Sequence, residues 1–277
     1  MSGPVPPQPP PAEPAVAPTT KRHHKPAEPP IIEIRGLTVR NGAQTLLDGI
    51  NLELHAGEIL GLVFAQGLGK STLLRAASGF FRPEAGQVLY KGRDIATFGY
   101  EEERAFQRAT GFVFQNGGLL VNTKVYDNVA LPLRYEPGLS DAQIDAKVRE
   151  SLATVGMADA ADRFPWELTV ARQKLCTLAR ALVREPQLIF FDNFFKGTEP
   201  DLWYNLIKLV RQLRNTRHLG WVLVLEADPT VYSIADRLAI IEHGKVLEVS
   251  SPNELRKSKD VRITGVFRTI DWSEENG

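Results

Sequence analysis

Apolar positions along the chain change their spacing in a regular order. From Ile31, "IIEIRGLTVR" alternates apolar and polar residues as a half-buried strand does, and "LLDGINLEL" (46–54) follows as a second. "GEILGLVF" (57–64) is a continuous apolar run, the mark of a strand buried on both faces. It passes through "AQGLGKST" (65–72) into "LLRAASGFF" (73–81), whose spacing is helical. Further strands are predicted at "GFVFQ" (111–115), "QLIFFD" (187–192) and "GWVLVLEAD" (220–228), with mostly helical spacing from about 125 to 184. "DLWYNLIKLVRQLRN" (201–215) reads as an amphipathic helix and "TVYSIADR" (230–237) as a short one. "LAIIEHGKVLEV" (238–249) reads as a hairpin with Gly244 near its turn. Strands alternating with helices predict an α/β domain with a mainly parallel sheet covered on both faces. The early strands add an antiparallel β subdomain, and residues from about 117 to 184 a helical subdomain.

Residues 1–30 break this pattern. They carry 11 of the 19 prolines and almost nothing to bury, which predicts an extended, disordered arm. The arm has no apolar core of a signal peptide, and "KRHHK" (21–25) reads as a solvated cluster rather than a contact for acidic lipid headgroups. The folded domain is expected to span 31–255, leaving 256–277 as a C-terminal tail.

Charge narrows the function classes. Lys+Arg and Asp+Glu both total 33, so no field of one sign points to nucleic acid or to general membrane affinity. The longest apolar runs fall far short of the roughly 20 residues needed to cross a bilayer, so a membrane role must come through a partner. Cys176 is the single cysteine, which excludes a disulfide framework and fits a reducing compartment. The five histidines (23, 24, 55, 218 and 243) lack metal-ligand spacing, and neither a nucleophile elbow nor an acid pair is present. Trp203 and Tyr204 open an amphipathic helix and read as packing residues.

The chemistry lies at two strand ends. "FAQGLGKST" sits between a buried strand and a helix and matches the right half of the phosphate-loop pattern G-x-x-x-x-G-K-[ST]. Gly67, Leu68 and Gly69 would curl backbone N–H groups around phosphate oxygens, Lys70 would reach the outer phosphates, and Ser71 would ligate Mg²⁺ ahead of Thr72. A glycine-rich turn that merely precedes a helix is the plain alternative, and Lys-Ser at the right offset argues against it. The first glycine is replaced by Phe64; if that position requires a glycine-only backbone angle, phenylalanine costs about 1–2 kcal/mol there. The second strand end is "LIFFDNFFKGTEP" (188–200), where Asp192 is placed to hold Mg²⁺. A nucleotide hydrolase would be expected to carry a second carboxylate next, and this chain carries Asn193.

With the loop, Gln115, Asp192 and the element order together, the chain resembles the ATP-binding subunits of ABC transporters from Ile31 to about Leu255. "FQNGGLLVNTKVYDNVALPL" (114–133) is similar to the ATPases of bacterial MCE/Mla phospholipid-transport systems. The resemblance implies a P-loop NTPase fold of the ABC ATPase type, with ATP and Mg²⁺ as ligands. It implies Gln115 as the Q-loop residue beside Ser71 and Asp192 at the metal, a helical lobe docking a membrane permease, and a cytoplasmic place at the inner membrane. It also implies a second ATPase subunit, self or paralogue, in a head-to-tail dimer, and no nucleic acid partner.

Against that family pattern the departures fall on catalytic motifs. The signature Leu-Ser-Gly-Gly-Gln aligns with Leu168, Thr169, Val170, Ala171 and Arg172; the catalytic glutamate with Asn193; the D-loop with Lys196, Gly197, Thr198 and Glu199; the switch histidine with Glu226. The aromatic residue that stacks on adenine belongs near Val39 or Arg40, and neither offers a ring. General-base help is worth about 10²–10⁴ in rate, and Asn193 cannot take a proton. Glu226 sets an acceptor, and in its ionised form a negative charge, where a donor to the γ-phosphate belongs. Three readings follow: a nucleotide-binding subunit impaired in hydrolysis, a working ATPase with Glu199 or Glu226 as substitute base, and a scaffold that has given up nucleotide. The retained loop, Gln115 and Asp192 favour the first. Leu119, Leu120 and Val121, next to a Gly-Gly pair, are expected to be exposed as a permease-docking patch.

Overall fold

A computed structural model describes residues 29–65, 68–193, 200–225 and 231–267. Two sheets organise them. Strands β1 (Ile32–Asn41), β2 (Gln44–Leu54), β4 (Ala85–Tyr90) and β5 (Arg93–Asp94) form an antiparallel sheet in the order β2-β1-β4-β5. Strands β3 (Ile59–Phe64), β6 (Thr110–Val113), β7 (Leu188–Phe191), β8 (Gly220–Leu225), β9 (Arg237–Glu242) and β10 (Lys245–Ser250) form the second, in the order β10-β9-β3-β8-β7-β6. Only β10 runs antiparallel in it, through the expected hairpin, whose two-residue turn is His243-Gly244.

The uninterrupted apolar strands are explained by what they touch. All six residues of β3 are buried. Leu60, Leu62 and Phe64 point into a core shared with the antiparallel sheet and with helix α1 (Lys70–Ala77). Ile59 and Val63 point the other way, into a core shared with the helices. β7 divides in the same manner, Leu188 and Phe190 against Ile189 and Phe191, and β8 sends Val222 and Val224 to one side and Trp221, Leu223 and Leu225 to the other. A strand with two cores has no polar face, so alternation vanishes from its sequence.

The helical lobe consists of α3 (Val125–Arg134), α4 (Asp141–Thr154) and α5 (Val170–Leu182), packed on one another and on the second core. Each start has a local cause. Ser140 and Gln143 cap the α4 start reciprocally, and the Thr169 hydroxyl accepts from the Arg172 N–H at 3.3 Å at the head of α5. Helix α6 (Pro200–Arg217) buries Leu206, Val210 and Leu213, packs Trp203 against the core and leaves Tyr204 exposed.

Two regions depart from the sequence reading. Residues 85–109 contain β4, β5 and helix α2 (Tyr100–Ala109), which the periodicity left unassigned. The packed domain also continues past Leu255. Helices α7 (Pro252–Leu255) and α8 (Val261–Gly265) bury Leu255 and Ile263, and Phe267 meets Tyr232 edge to face at 5.2 Å. The tail set apart at 256 therefore belongs to the core as far as Phe267. The arm lies outside the described residues except for Pro29 and Pro30.

Candidate functional site

The parallel strands β3, β6, β7 and β8 all end on one edge of the sheet, where open α/β folds bind their ligands. The chain leaves β3 at Phe64, which pairs with Ile241, and the Ala65 amide extends the ladder to the Ile241 carbonyl at 3.0 Å. Phe64 is 4 % exposed and takes ordinary strand geometry. The conditional backbone cost at this position is therefore absent: the ring fills the core below the loop instead of straining it.

Gln66 and Gly67 lie outside the described residues. Leu68 is exposed, and Gly69 caps α1 at φ +90. A Cβ on Gly69 would stand 3.0 Å from the Leu46 carbonyl oxygen and 3.1 Å from Leu47 Cδ2. Both angle and space thus require glycine at the start of α1. Lys70, Ser71 and Thr72 form that first turn, half-buried, with no acidic residue among them. Free amide donors at a helix start, beside a lysine, form an anion site for phosphate oxygens.

Asp192 follows β7 on the same edge. Its amide donates to the Val113 carbonyl at 2.9 Å, its side chain is 3 % exposed, and Oδ1 is buried without a hydrogen-bond partner among the described residues. A buried carboxylate oxygen left without a donor costs free energy unless a cation completes it. A hard divalent ion that takes oxygen ligands and keeps its own waters fits that oxygen; Gln115 follows the neighbouring strand β6 and Ser71 opens helix α1 after β3, on the same edge of the sheet. Among the described residues no cluster of His, Cys, Asp or Glu could hold a metal alone, so any ion here depends on this mixed set and on phosphate.

Asn193 comes next, 5 % exposed and in the left-handed region at φ +53. Asparagine is among the few residues that tolerate that angle. The position is buried and directly follows Asp192, and it holds an amide that cannot accept a proton. Phe194 to Glu199, including Lys196, Gly197 and Thr198, lie outside the described residues, as does Glu226.

The signature-aligned stretch sits at the start of α5. Leu168 is buried, Thr169 caps the helix, Val170 is 57 % exposed, Ala171 is half-buried, and Arg172 bonds Asp159 at 2.6 Å. That bond holds the Asp159 carboxyl below its ordinary pKa. Thr169 does the capping that serine would do, so the helix start is intact. Val170 puts a branched side chain where a glycine would leave room for an approaching phosphate. Val39 is buried and Arg40 exposed, and neither presents a ring.

Gln115, half-buried, leads into a turn in which the Gly117 amide donates to the Phe114 carbonyl at 2.9 Å. Beyond it the expected docking patch needs a correction. Leu120 and Val121 are exposed, 48 % and 60 %, but Leu119 packs against the helical core. The reason is Asn128, fully buried on α3. It accepts from the Leu120 amide at 2.8 Å and donates to the carbonyls of Leu120, Thr123 and Lys124. Asn128 thereby fixes which side chains of 119–124 face outward. Neither it nor Arg180, which bonds the Gly117 and Gly118 carbonyls, stood out in the sequence. An asparagine inside an otherwise apolar helical stretch was the available signal for the first.

Comparison with known proteins bears on the family and the fold. The family model for ABC transporters matches residues 47–196. The intermembrane phospholipid transport system ATP-binding protein MlaF of Haemophilus influenzae is 33% identical over 233 residues, 84% of this chain and 88% of that protein. The methionine import ATP-binding protein MetN of Rhizobium johnstonii is 32% identical over 85% of this chain, and the sulfate/thiosulfate import ATP-binding protein CysA of Burkholderia mallei 35% identical over 80%. The chain spans 65% and 62% of those two importers' lengths. Among solved structures, cbiO1 of Clostridium perfringens superposes with a TM-score of 0.74 at 23% identity, covering 84% of this chain and 93% of that one. The dimeric cassette MJ0796 gives 0.73 at 22%, covering 80% and 98%. These two likenesses show the shared fold.

Proposed function

Because this chain belongs to the ABC transporter family, as an ATP-binding subunit, we propose that it binds Mg-ATP and turns it over slowly, within a lipid-transporting membrane complex. The observation that carries the reading is the pair at the end of β7: Asp192, whose buried Oδ1 has no partner among the described residues, then Asn193 where a base would stand. The first is a group that needs a cation, and the second is a group that cannot activate water. Gly69, Lys70, Ser71 and Thr72 hold the phosphates, and Mg²⁺ at Asp192 would neutralise charge on them. A chain serving only as a scaffold would have no use for a buried carboxylate oxygen without a partner among the described residues, and this supports nucleotide binding over the scaffold reading.

The lipid substrate is supported by the similarity to the phospholipid-transport protein and by the 114–133 stretch. Comparable identity to methionine and sulfate importers supports the transporter class alone. No described helix is long and apolar enough to cross a membrane, so attachment rests on a permease, with a second ATPase subunit, self or paralogue, completing the complex. The test measures Mg-ATP binding by calorimetry and phosphate release on the same preparation. Binding with turnover far below roughly 1–10³ s⁻¹ is the expected pair of results. Turnover inside that range would overturn the impaired-hydrolysis reading, and absent binding would overturn the nucleotide site. Asn193→Glu is not expected to restore activity, since glutamate at φ +53 costs about 1–2 kcal/mol and the signature remains altered.

A further inference from the structure

Gln115 and the first turn of α5 face each other across a cavity of about 310 Å³, bounded by Gln115, Asn116 and Gly117 on one side and by Val170, Gln173 and Lys174 on the other. A tether across to the Gln115 side comes from a single side chain farther down the helix, Arg180. Arg180 lies ten residues into α5, about 15 Å from its start. Its Nη2 donates to the Gly117 carbonyl at 2.9 Å and its Nη1 to the Gly118 carbonyl at 2.8 Å. These glycines stand two and three positions after Gln115 and have φ of +73 and +58. A Cβ on Gly117 would stand 3.3 Å from Thr177 Cγ2 on the same helix face. The turn is therefore laid directly on α5 and pinned by both ends of one rigid plane. Burial lowers the guanidinium pKa from its ordinary value, with the nearby Cys176 acting in the opposite direction. A desolvated cation committed to two backbone carbonyls marks a structural constraint rather than a solvated surface charge.

We propose that Arg180 is a positioning residue for Gln115: by locking the Gly117-Gly118 turn onto α5, it sets where the Gln115 amide stands relative to the metal edge at Asp192. The inference rests on the nucleotide site proposed above. Groups that orient a metal ligand from behind, when removed, typically weaken metal affinity about 10–100-fold without being ligands themselves. The planar fork matters because a lysine supplies a point charge and cannot hold two carbonyls in fixed relation.

The experiment titrates Mg²⁺ into the full chain at fixed ATP, reading nucleotide binding by calorimetry, with ATP affinity in EDTA as the control. Arg180→Ala is expected to raise the Mg²⁺ half-saturation about tenfold and to leave the EDTA affinity unchanged. Arg180→Lys should behave like Arg180→Ala, because charge alone does not replace the fork. Combining Arg180→Ala with Gln115→Ala should be no worse than Gln115→Ala alone. Wild-type half-saturation in a folded Arg180→Ala, full rescue by lysine, or additive loss in the double variant would each overturn the proposal. If Arg180→Ala does not fold, Arg180→Lys decides it: wild-type Mg²⁺ half-saturation there overturns the role. Should the wild type itself show no Mg²⁺-dependent binding, the nucleotide reading fails before any variant is made, and this proposal falls with it.

Discussion

The end of β3 and the start of α5 were built to different standards. At β3 the described half of the loop keeps what a phosphate site would need, down to Gly69, which both its φ and the 3.0 Å approach to the Leu46 carbonyl demand. At α5 the helix start is equally well made, with Thr169 as cap, yet Val170 stands exposed where an approaching ligand would need a bare backbone. On the proposed reading Asn193 belongs with α5: sound local structure, with an amide where a carboxylate would be expected. Architecture and chemistry place separate demands on the same positions. A cap needs a hydroxyl and a left-handed site tolerates asparagine, while catalysis needs a carboxylate and open space.

Three measurements press on that contrast, beginning with the largest expected effect. Lys70→Ala removes the charged donor of the phosphate edge and should weaken Mg-nucleotide binding by roughly 10–100-fold, as loss of a charge-assisted hydrogen bond of about 1.5–3 kcal/mol implies. Calorimetry checks it, and equal affinities would dissolve the distinction between a kept and a lost region. Asp192→Asn tests the metal half. Mg-nucleotide at 100 times its dissociation constant adds about 2.7 kcal/mol to wild-type stability, or about 5–10 °C in Tm for a domain of this size. The variant should lose the part of that shift that depends on Mg²⁺, read by thermal unfolding with and without EDTA.

The smallest effect on the isolated chain concerns the outward face of the helical lobe. Leu120→Asp with Val121→Asp should leave stability within about 0.5 kcal/mol, because both side chains are exposed. Co-purification with the membrane partner should fall. Undiminished recovery of the partner with a folded double variant would remove this patch from the docking surface. Leu119 is unsuitable for that test because it packs inside the lobe, and an aspartate there would disturb the core.

Legibility followed the strength of the physical signal. β3, β7 and β8 were readable because two cores leave only apolar residues, and the loop because Gly69-Lys70-Ser71 has a fixed place after such a strand. Residues 85–109 were not. Of β4 only Val88 and Leu89 are buried, β5 has two residues, and α2 buries Phe106 alone, so no period could emerge. The ordinary geometry of Phe64 was equally hidden, since a missing glycine in a motif does not state the angle its replacement will adopt. Arg180 and Asn128 act on backbone carbonyls brought near by the fold. The Arg180 partners lie 62 and 63 residues earlier, and residue type carries no trace of that distance.

The place of β3 in the sheet also governs when the protein can come into being. Its neighbours β8 and β9 are among the last segments of the domain to leave the ribosome, and the Ile59 amide donates to the Asp236 carboxylate 177 residues further on. At about 5–20 residues per second, roughly 10–40 s separate synthesis of the loop strand from arrival of the strands that flank it. Throughout that interval a ribbon apolar on both faces waits without its companions, the condition in which nascent chains need a chaperone. Truncations from the C-terminal side should therefore abolish the phosphate edge long before they reach it.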